Sequence, residues 1–111
     1  MAFTIEVGVL GTKQVVTVRG EVDLATAGML RTSLRDAVAS SRHVVIDLAD
    51  VPFMDSTGLG VLADAADRAG ANDTHLVIAR PARIVKNALR LVRIDVLIEV
   101  YDTLDAAISA E

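Results

Sequence analysis

An apolar stretch from residue 43 to 49 dictates much of the architecture, because so few polar side chains interrupt it. His43 to Ala49 is nearly continuously apolar and rich in β-branched residues, which is typical of a strand buried on both faces of a sheet. Pro52 prevents this strand from continuing. From Leu59 the apolar residues recur at helical spacing, and Gly70 is expected to end that helix. The order strand, turn, helix predicts an α/β arrangement here.

The turn between this strand and helix carries a hydroxyl beside an acid. In Phe53-Met54-Asp55-Ser56-Thr57-Gly58-Leu59-Gly60, Ser56 follows Asp55 and stands at the predicted helix N-terminus. Such a serine either caps the helix, its oxygen accepting a backbone N–H, or presents a hydroxyl to a partner. Gly58 and Gly60 are poor helix formers. Two of them in the first turns indicate tight packing on the sheet, close approach by another group, or both.

The N-terminal part of the chain predicts a hairpin followed by a helix. Apolar residues alternate with polar or small ones from Phe3 to Val9, the pattern of a half-buried strand, and a turn at 11–13 leads into a second strand at 15–19. Asp23 or Thr26 is available as N-cap of the helix that follows. The predicted apolar face of this helix comprises Leu24, Ala27, Leu30, Leu34, Ala37 and Val38.

The C-terminal part predicts two further strands and two further helices. Strands at 76–79 and 96–100 enclose a helix with Pro81 in its first turn, and Asp102 or Thr103 caps a closing helix. The predicted apolar face of the third helix comprises Ile84, Val85, Ala88, Leu89 and Val92. Alternating strands and helices imply crossover connections. We therefore predict an α/β domain spanning residues 1–111, with a mixed, mostly parallel sheet of about five strands and about four helices.

Composition limits the class of protein. The chain has 111 residues and is 52% hydrophobic, enough for one compact domain with its own core. It contains no cysteine, which excludes disulfides and thiolate metal sites. With no signal pattern and no run of 18 apolar residues, we expect a soluble, cytoplasmic protein without membrane insertion. A net charge of −4 argues against nucleic acid as the main partner.

Two kinds of enzyme site match residue types in the chain but fail in context. Ser56 with an aspartate and His43 or His75 would supply a catalytic triad, but both histidines open their strands whereas Ser56 follows the end of one. We therefore expect these histidines at the surface or its boundary, with His43 at the opposite edge of the sheet. Gly58 to Ala63 satisfies G-x-G-x-x-A, but Arg80 stands where a dinucleotide site carries an acid.

A basic stripe stands out in this acidic chain. Arg83, Lys86, Arg90 and Arg93 follow one another at spacings of 3, 4 and 3 on the predicted third helix. Most such stripes are solvated helix faces. The alternative is a docking contact with an acidic partner or with lipid headgroups.

These motifs resemble the STAS domains, the family of anti-sigma factor antagonists. The resemblance covers essentially the whole chain and rests on Val44-Val45-Ile46-Asp47-Leu48 leading into the 53–60 segment, with Gly20-Glu21-Val22-Asp23 upstream. In that family a partner anti-sigma factor, itself a serine kinase, phosphorylates the serine after the aspartate, which maps onto Ser56. Where the family often has a second serine this chain has Thr57, a second hydroxyl beside the expected site.

The resemblance implies a binding protein switched by phosphorylation. The unphosphorylated form would capture the anti-sigma factor and free a sigma factor, phosphorylation of Ser56 with ATP would end the capture, and a PP2C-type phosphatase would restore it. The chain itself would need no cofactor or metal and would catalyse nothing. The docking residues expected are Asp23, Asp55, Ser56, Thr57, Gly58 and Gly60. The alternative is a STAS accessory subunit of a membrane lipid ABC transporter, in which this region docks an ATPase subunit.

The expected effect of the phosphate is electrostatic. It would add about −1.5 to −2 charges at a helix N-terminus, where free N–H groups and the helix dipole favour an anion. Asp55 is adjacent, and Asp23 closes an earlier strand that can lie at the same end of the sheet. The alternative role of Asp23 is to cap the first helix. We expect the phosphate to repel a partner's surface without refolding the chain.

Overall fold

A computed structural model describes residues 2–110, in which five strands form one sheet in the order β1-β2-β3-β4-β5. The strands are β1 Thr4–Leu10, β2 Lys13–Arg19, β3 His43–Asp50, β4 His75–Ala79 and β5 Glu99–Tyr101. The helices within these residues are α1 Ala27–Ser40, α2 Ser56–Ala71, α3 Arg83–Leu91, α4 Ile94–Leu97 and α5 Leu104–Ser109. β1 and β2 form the predicted antiparallel hairpin, and the other neighbouring strands are parallel. The predicted mixed α/β fold is confirmed, with one helix more than expected.

The two faces of the sheet are covered by different helices. α1 to α4 pack on one face, where Leu30, Leu62 and Leu89 join Ile46 of β3 in the main core. α5 covers the other face, where Ala107 packs with a smaller group of buried strand residues that includes Val45, Val77 and Ala79. β3 therefore contributes alternate side chains to two cores. This two-sided burial is why its sequence is apolar almost without interruption.

The first strand and helix are less buried than their patterns predict. Val7 and Val9 are 50% and 66% exposed, because α1 packs mainly on β2 and β3 and leaves this part of the outer strand β1 uncovered. Leu24 is exposed as well, since α1 begins only at Ala27 and Leu24 belongs to the turn before it. Phe3 and Ile5 are half-buried against the main core as predicted, but the predicted burial of Val7, Val9 and Leu24 is wrong.

The strand predicted at 96–100 is only partly a strand, because residues 96 and 97 belong to α4 and β5 covers 99–101. Arg93 adopts the left-handed conformation, with φ of +61°, and α4 begins directly after it. Ile94 and Ile98 are both buried, and a helical turn brings residues four apart onto the same side. Packing of this pair against the core overrides the strand preference of the β-branched residues, and β5 begins only at Glu99.

Two helix boundaries differ from the predictions, and a third agrees with them. α2 runs past Gly70 to Ala71, and the left-handed residue after it is Asp73, with φ of +56°. Pro81 precedes α3 instead of lying in its first turn. α5 is capped by Thr103, whose hydroxyl oxygen accepts the N–H of Ala106 at 3.1 Å, as one of the two predicted alternatives.

Within residues 2–110, no helix is long and apolar enough to cross a membrane.

Candidate functional site

The predicted site lies at the carboxyl ends of β2 and β3. Beyond both strands Val22 pairs with Met54 in a parallel bridge, in which the Val22 N–H donates to the Phe53 carbonyl and the Asp55 N–H donates to the Val22 carbonyl, each at 3.0 Å. Neighbouring strands lie about 5 Å apart. The bridge therefore brings Asp23 beside Asp55, at the N-terminus of α2.

Asp55 caps α2, so the interpretation of Ser56 as the N-cap is wrong. One carboxylate oxygen of Asp55 accepts the backbone N–H groups of Thr57 at 2.9 Å and Gly58 at 3.2 Å, and it also accepts the Thr57 hydroxyl in a short hydrogen bond. The Thr57 hydroxyl, together with these N–H groups, holds the pKa of Asp55 below its usual value. Two of the N–H groups expected to be free for a phosphate are thus already occupied.

The two neighbouring hydroxyls have different surroundings. Ser56 is the first residue of α2 and is exposed, and its hydroxyl takes part in no hydrogen bond with residues 2–110. Thr57 is half-buried, and its hydroxyl donates to Asp55. Ser56 therefore offers the accessible oxygen of the pair.

Asp23 organises the turn that leads into α1. Its Oδ1 accepts the N–H groups of Ala25 at 3.0 Å and Thr26 at 3.2 Å, while its own N–H donates to the Thr26 hydroxyl at 3.0 Å. Thr26 occupies the N-cap position of α1 without a side-chain capping bond. Among residues 2–110 these bonds engage only Oδ1 of Asp23, so the same carboxylate can hold the turn and face a partner through Oδ2.

The two glycines of α2 serve different purposes. A Cβ on Gly58 would lie 2.6 Å from Cγ of Met54 and 2.7 Å from Cγ1 of Val22, so Gly58 permits tight packing of α2 on the bridge. A Cβ on Gly60 would meet no atom of the described chain within 4 Å. Gly60 instead leaves open space beside Ser56.

An apolar groove of about 280 Å³ runs from Ser56 between α2 and α4, and sequence reasoning missed it. It is lined by Ser56, Leu59, Gly60, Ala63, Val92, Ile94 and Leu97. Val92 and Leu97 are 53% and 60% exposed, although the sequence placed Val92 on a buried helix face and Leu97 in a strand. The available signal was the number of large apolar residues between 84 and 98, which exceeds what one helix face can bury.

The residues of the alternative enzyme sites are not brought together. His43 pairs in register with His75 at the start of parallel strands, and β3 alone spans about 23 Å, so both rings lie at the end of the sheet opposite Ser56. His43 is buried, contrary to its predicted position at the surface or its boundary, because its ring lies against His75 with centroids 4.9 Å apart. Arg80 forms a bidentate ion pair with buried Asp47, in which Nε donates to Oδ1 at 3.0 Å and Nη2 donates to Oδ2 at 2.8 Å.

The predicted basic stripe is interrupted. Lys86 forms an ion pair with Asp102 at 2.8 Å, and Arg93 lies beyond the end of α3. Arg83 and Arg90 remain as exposed cations of that helix. Instead of a continuous basic stripe, α3 and α4 present exposed apolar side chains, namely Ile84, Leu91, Val92, Val96 and Leu97.

Comparison with known proteins identifies the class to which this fold and site belong. The STAS domain model matches residues 5–107. RsfB of Mycobacterium tuberculosis, an anti-sigma-F factor antagonist, is 31% identical over 96 residues, which cover 86% of this chain and 78% of RsfB. The crystal structure of an anti-sigma factor antagonist from Mycobacterium paratuberculosis has a TM-score of 0.88 at 30% identity, covering 97% of this chain and 92% of that one.

The fold alone is shared with SpoIIAA, an anti-sigma factor antagonist that has been solved without and with phosphorylation. The unphosphorylated form has a TM-score of 0.79 at 20% identity, covering 96% of this chain and 93% of SpoIIAA. The phosphorylated form has a TM-score of 0.73 at 19% identity, with 96% of each chain covered. The STAS domain match, together with the similarity to RsfB and to the antagonist from Mycobacterium paratuberculosis, shows that the chain belongs to the STAS domain family, among the anti-sigma factor antagonists, as the motifs indicated.

Proposed function

We propose that this chain antagonises an anti-sigma factor of the serine-kinase type, and that phosphorylation of Ser56 by that kinase ends the binding. The observation that carries the proposal is the difference between the adjacent hydroxyls. Ser56 is exposed at the start of α2, whereas the Thr57 hydroxyl donates to Asp55. Because a phosphoryl acceptor must enter the kinase site with its oxygen free, Ser56 is the better substrate.

The switch we propose is electrostatic. A phosphate adds about −1.5 to −2 charges at pH 7. On Ser56 it would stand next to the carboxylates of Asp55 and Asp23, and the N–H groups of Thr57 and Gly58 that could neutralise it are held by Asp55. The phosphate therefore stays at the surface and faces the partner. A partner surface that accommodates the two carboxylates then meets a much larger negative charge, which weakens binding.

We further propose that the apolar groove contributes affinity to the unphosphorylated complex. Leu97 and Val92 are exposed within reach of Ser56, since the same groove contacts all three residues. Burial of such side chains at an interface is favourable and, unlike an ion pair, is not screened by salt. In this arrangement the groove supplies affinity, and the acids around Ser56 make binding sensitive to phosphorylation.

In this proposal the chain supplies an acceptor hydroxyl and a docking surface, and the chemistry belongs to its partners. The kinase brings ATP, and a PP2C-type phosphatase removes the phosphate to restore binding. The anti-sigma factor captured by the unphosphorylated chain releases its sigma factor. Transcription by that sigma factor would therefore follow the fraction of chain that is unphosphorylated.

Site mapping after phosphorylation tests the proposal. With the purified kinase and Mg-ATP, we expect the wild-type chain and a Thr57→Val variant each to gain one phosphate, located on Ser56 by peptide mass analysis. Ser56→Ala should gain none, because Thr57 is engaged with Asp55. Thr57→Val is the matched control, since it removes the neighbouring hydroxyl and preserves side-chain size. A phosphate on Thr57 of the wild-type chain would contradict the assignment.

A further inference from the structure

The outer edge of β1 is unpaired. β1 is the first strand of the sheet, and within residues 2–110 no strand lies on its other side. β1 and β2 are joined by the two residues Gly11 and Thr12, and Gly11 has φ of +63°, so Leu10 and Lys13 form the hydrogen-bonded pair that closes the hairpin. Counting back from this pair, alternate residues of β1 direct their N–H and C=O groups away from β2. These residues are Ile5, Val7 and Val9.

Hydrogen bonds at the two ends of the β2–β3 pairing support this assignment of inward and outward backbone groups. The Thr12 carbonyl accepts the Arg42 N–H at 3.3 Å, and the Gly20 N–H donates to the Asp50 carbonyl at 3.0 Å. Thr12 and Gly20, both even-numbered, therefore direct these backbone groups toward β3. The odd-numbered residues of β2 accordingly direct their backbone N–H and C=O groups toward β1. The outward groups of β1 form a ready template for another strand.

The side chains along this edge are apolar. Val7 and Val9 lie on the same face as Ile5, are half or more exposed, and are not covered by α1. Next to them, between β1 and α1, is a groove of about 460 Å³. It is lined by Ile5, Gly28, Met29, Thr32 and Ser33. Exposed Met29 thus continues the apolar surface of the strand onto the helix.

The edge lacks the charges with which soluble proteins usually protect an outer strand. β1 contains no lysine, arginine or proline, and its pairing with β2 has no bulge. Its one charged residue, Glu6, forms an ion pair with Arg19 of β2 at 2.8 Å. The charge of Glu6 is therefore balanced within the hairpin.

We propose that β1 pairs with β1 of a second copy of this chain, antiparallel about a two-fold axis at Val7, so that the two sheets become continuous. In the register that uses all seven residues, Val7 faces Val7 of the other copy, Ile5 faces Val9, and Glu6 faces Gly8. No like charges meet, and every apolar residue of the exposed face meets another. The strand is its own complement, which is what an isologous two-fold contact requires.

This dimer is independent of the proposed phosphorylation switch. The Ser56 groove lies against α4, which packs beside β5 at the other edge of the sheet. Both copies would therefore present a free docking surface. A strand edge buries less than the roughly 1,200 Å² at the lower limit of stable interfaces, so we expect reversible association in the micromolar range or weaker.

Cysteine cross-linking tests the register, because the natural chain contains no cysteine. In the proposed dimer the two Val7 Cα atoms lie about 5.5 Å apart, within disulfide range. The two Val9 Cα atoms are displaced by four residues, about 13 Å along the strand, and cannot be bridged. With oxidised glutathione, Val7→Cys should form covalent dimers at least ten times faster than Val9→Cys. Equal rates would overturn the proposed register.

Sedimentation equilibrium tests the contact itself. The wild-type chain should dimerise between about 1 µM and 1 mM. Val7→Lys, which sets two like charges on the axis, should raise the dimer dissociation constant at least tenfold. Val96→Lys is the control, because Val96 is 70% exposed on α4, and it should leave the constant unchanged. Circular dichroism confirms folding of each variant, and a wild-type monomer throughout, or a dimer that Val7→Lys does not weaken, overturns the proposal.

Discussion

The three consecutive polar residues of the site have different roles. Asp55, Ser56 and Thr57 can each cap a helix, but only Asp55 does so, and its carboxylate also accepts the Thr57 hydroxyl. Ser56 is left with an exposed hydroxyl between two neighbours that are bound to each other. Because the same carboxylate occupies the N–H groups of Thr57 and Gly58, a charge added at Ser56 stays uncompensated within the described chain.

Substitution of the two glycines by alanine should have opposite effects on stability. Gly58→Ala should destabilise the protein by about 1–3 kcal/mol, because its Cβ would overlap Val22 and Met54. Gly60→Ala should stabilise it by about 0.5–1 kcal/mol, since alanine favours the helix and the new Cβ meets no atom. Urea unfolding of both variants measures this. If Gly60 is needed for access by the kinase, Gly60→Ala will bind more weakly although it is more stable, and equal destabilisation of both variants would contradict the packing assignment.

At the scale of elements, the segment after β4 is where the sequence and the structure differ most. The sequence there suggests a basic, solvated helix followed by a strand. In the structure, Val92 and Leu97 are exposed around the groove. The basic side chains do not form one continuous surface, because Lys86 pairs with Asp102 and Arg93 lies in the turn after α3. The apolar groove, more than the basic residues, is therefore the surface of this segment that suits a protein partner.

Two variants of this segment separate the contribution of its apolar residues to kinase binding from the contribution of its basic residues. Leu97→Asn, a polar replacement of similar size, should weaken binding of the anti-sigma kinase at least tenfold. Arg83→Glu combined with Arg90→Glu should change neither binding nor the free energy of unfolding by more than about 0.5 kcal/mol. Titration of the kinase at low and physiological ionic strength measures both. A large, salt-dependent loss from the double charge reversal would place α3 in the interface.

The fold could be predicted from the sequence wherever local pattern and burial agree. β3 is an example, since both of its faces are buried and its sequence is nearly continuously apolar. Val7 and Ile94 are counterexamples, because the burial of Val7 depends on which strands α1 covers, and the helical turn at Ile94 depends on packing in the core. The position of Ser56 followed from the strand-to-helix pattern, but the choice of cap among Asp55, Ser56 and Thr57 depends on backbone geometry that no sequence pattern specifies.

At the scale of the whole molecule, the fold assembles the proposed docking surface from distant parts of the chain. The bridge of Val22 with Met54 brings Asp23 to Asp55, and the contact of α2 with α4 brings Leu97 to Ser56. The surface is carried by elements anchored in the main core. We therefore expect a charge at Ser56 to change binding without a change of fold, because the supporting residues are already held in place.

The most direct test compares the affinity of the anti-sigma kinase for chains that differ only in charge at residue 56. Calorimetric titrations would use the wild-type chain before and after complete phosphorylation, together with Ser56→Asp and Ser56→Asn, which match each other in size. We predict that phosphorylation and Ser56→Asp each weaken binding at least tenfold, that Ser56→Asn binds like the unmodified chain, and that all four give the same circular dichroism spectrum. Equal affinity before and after phosphorylation, or an equal loss for Ser56→Asn and Ser56→Asp, would contradict an electrostatic switch at Ser56.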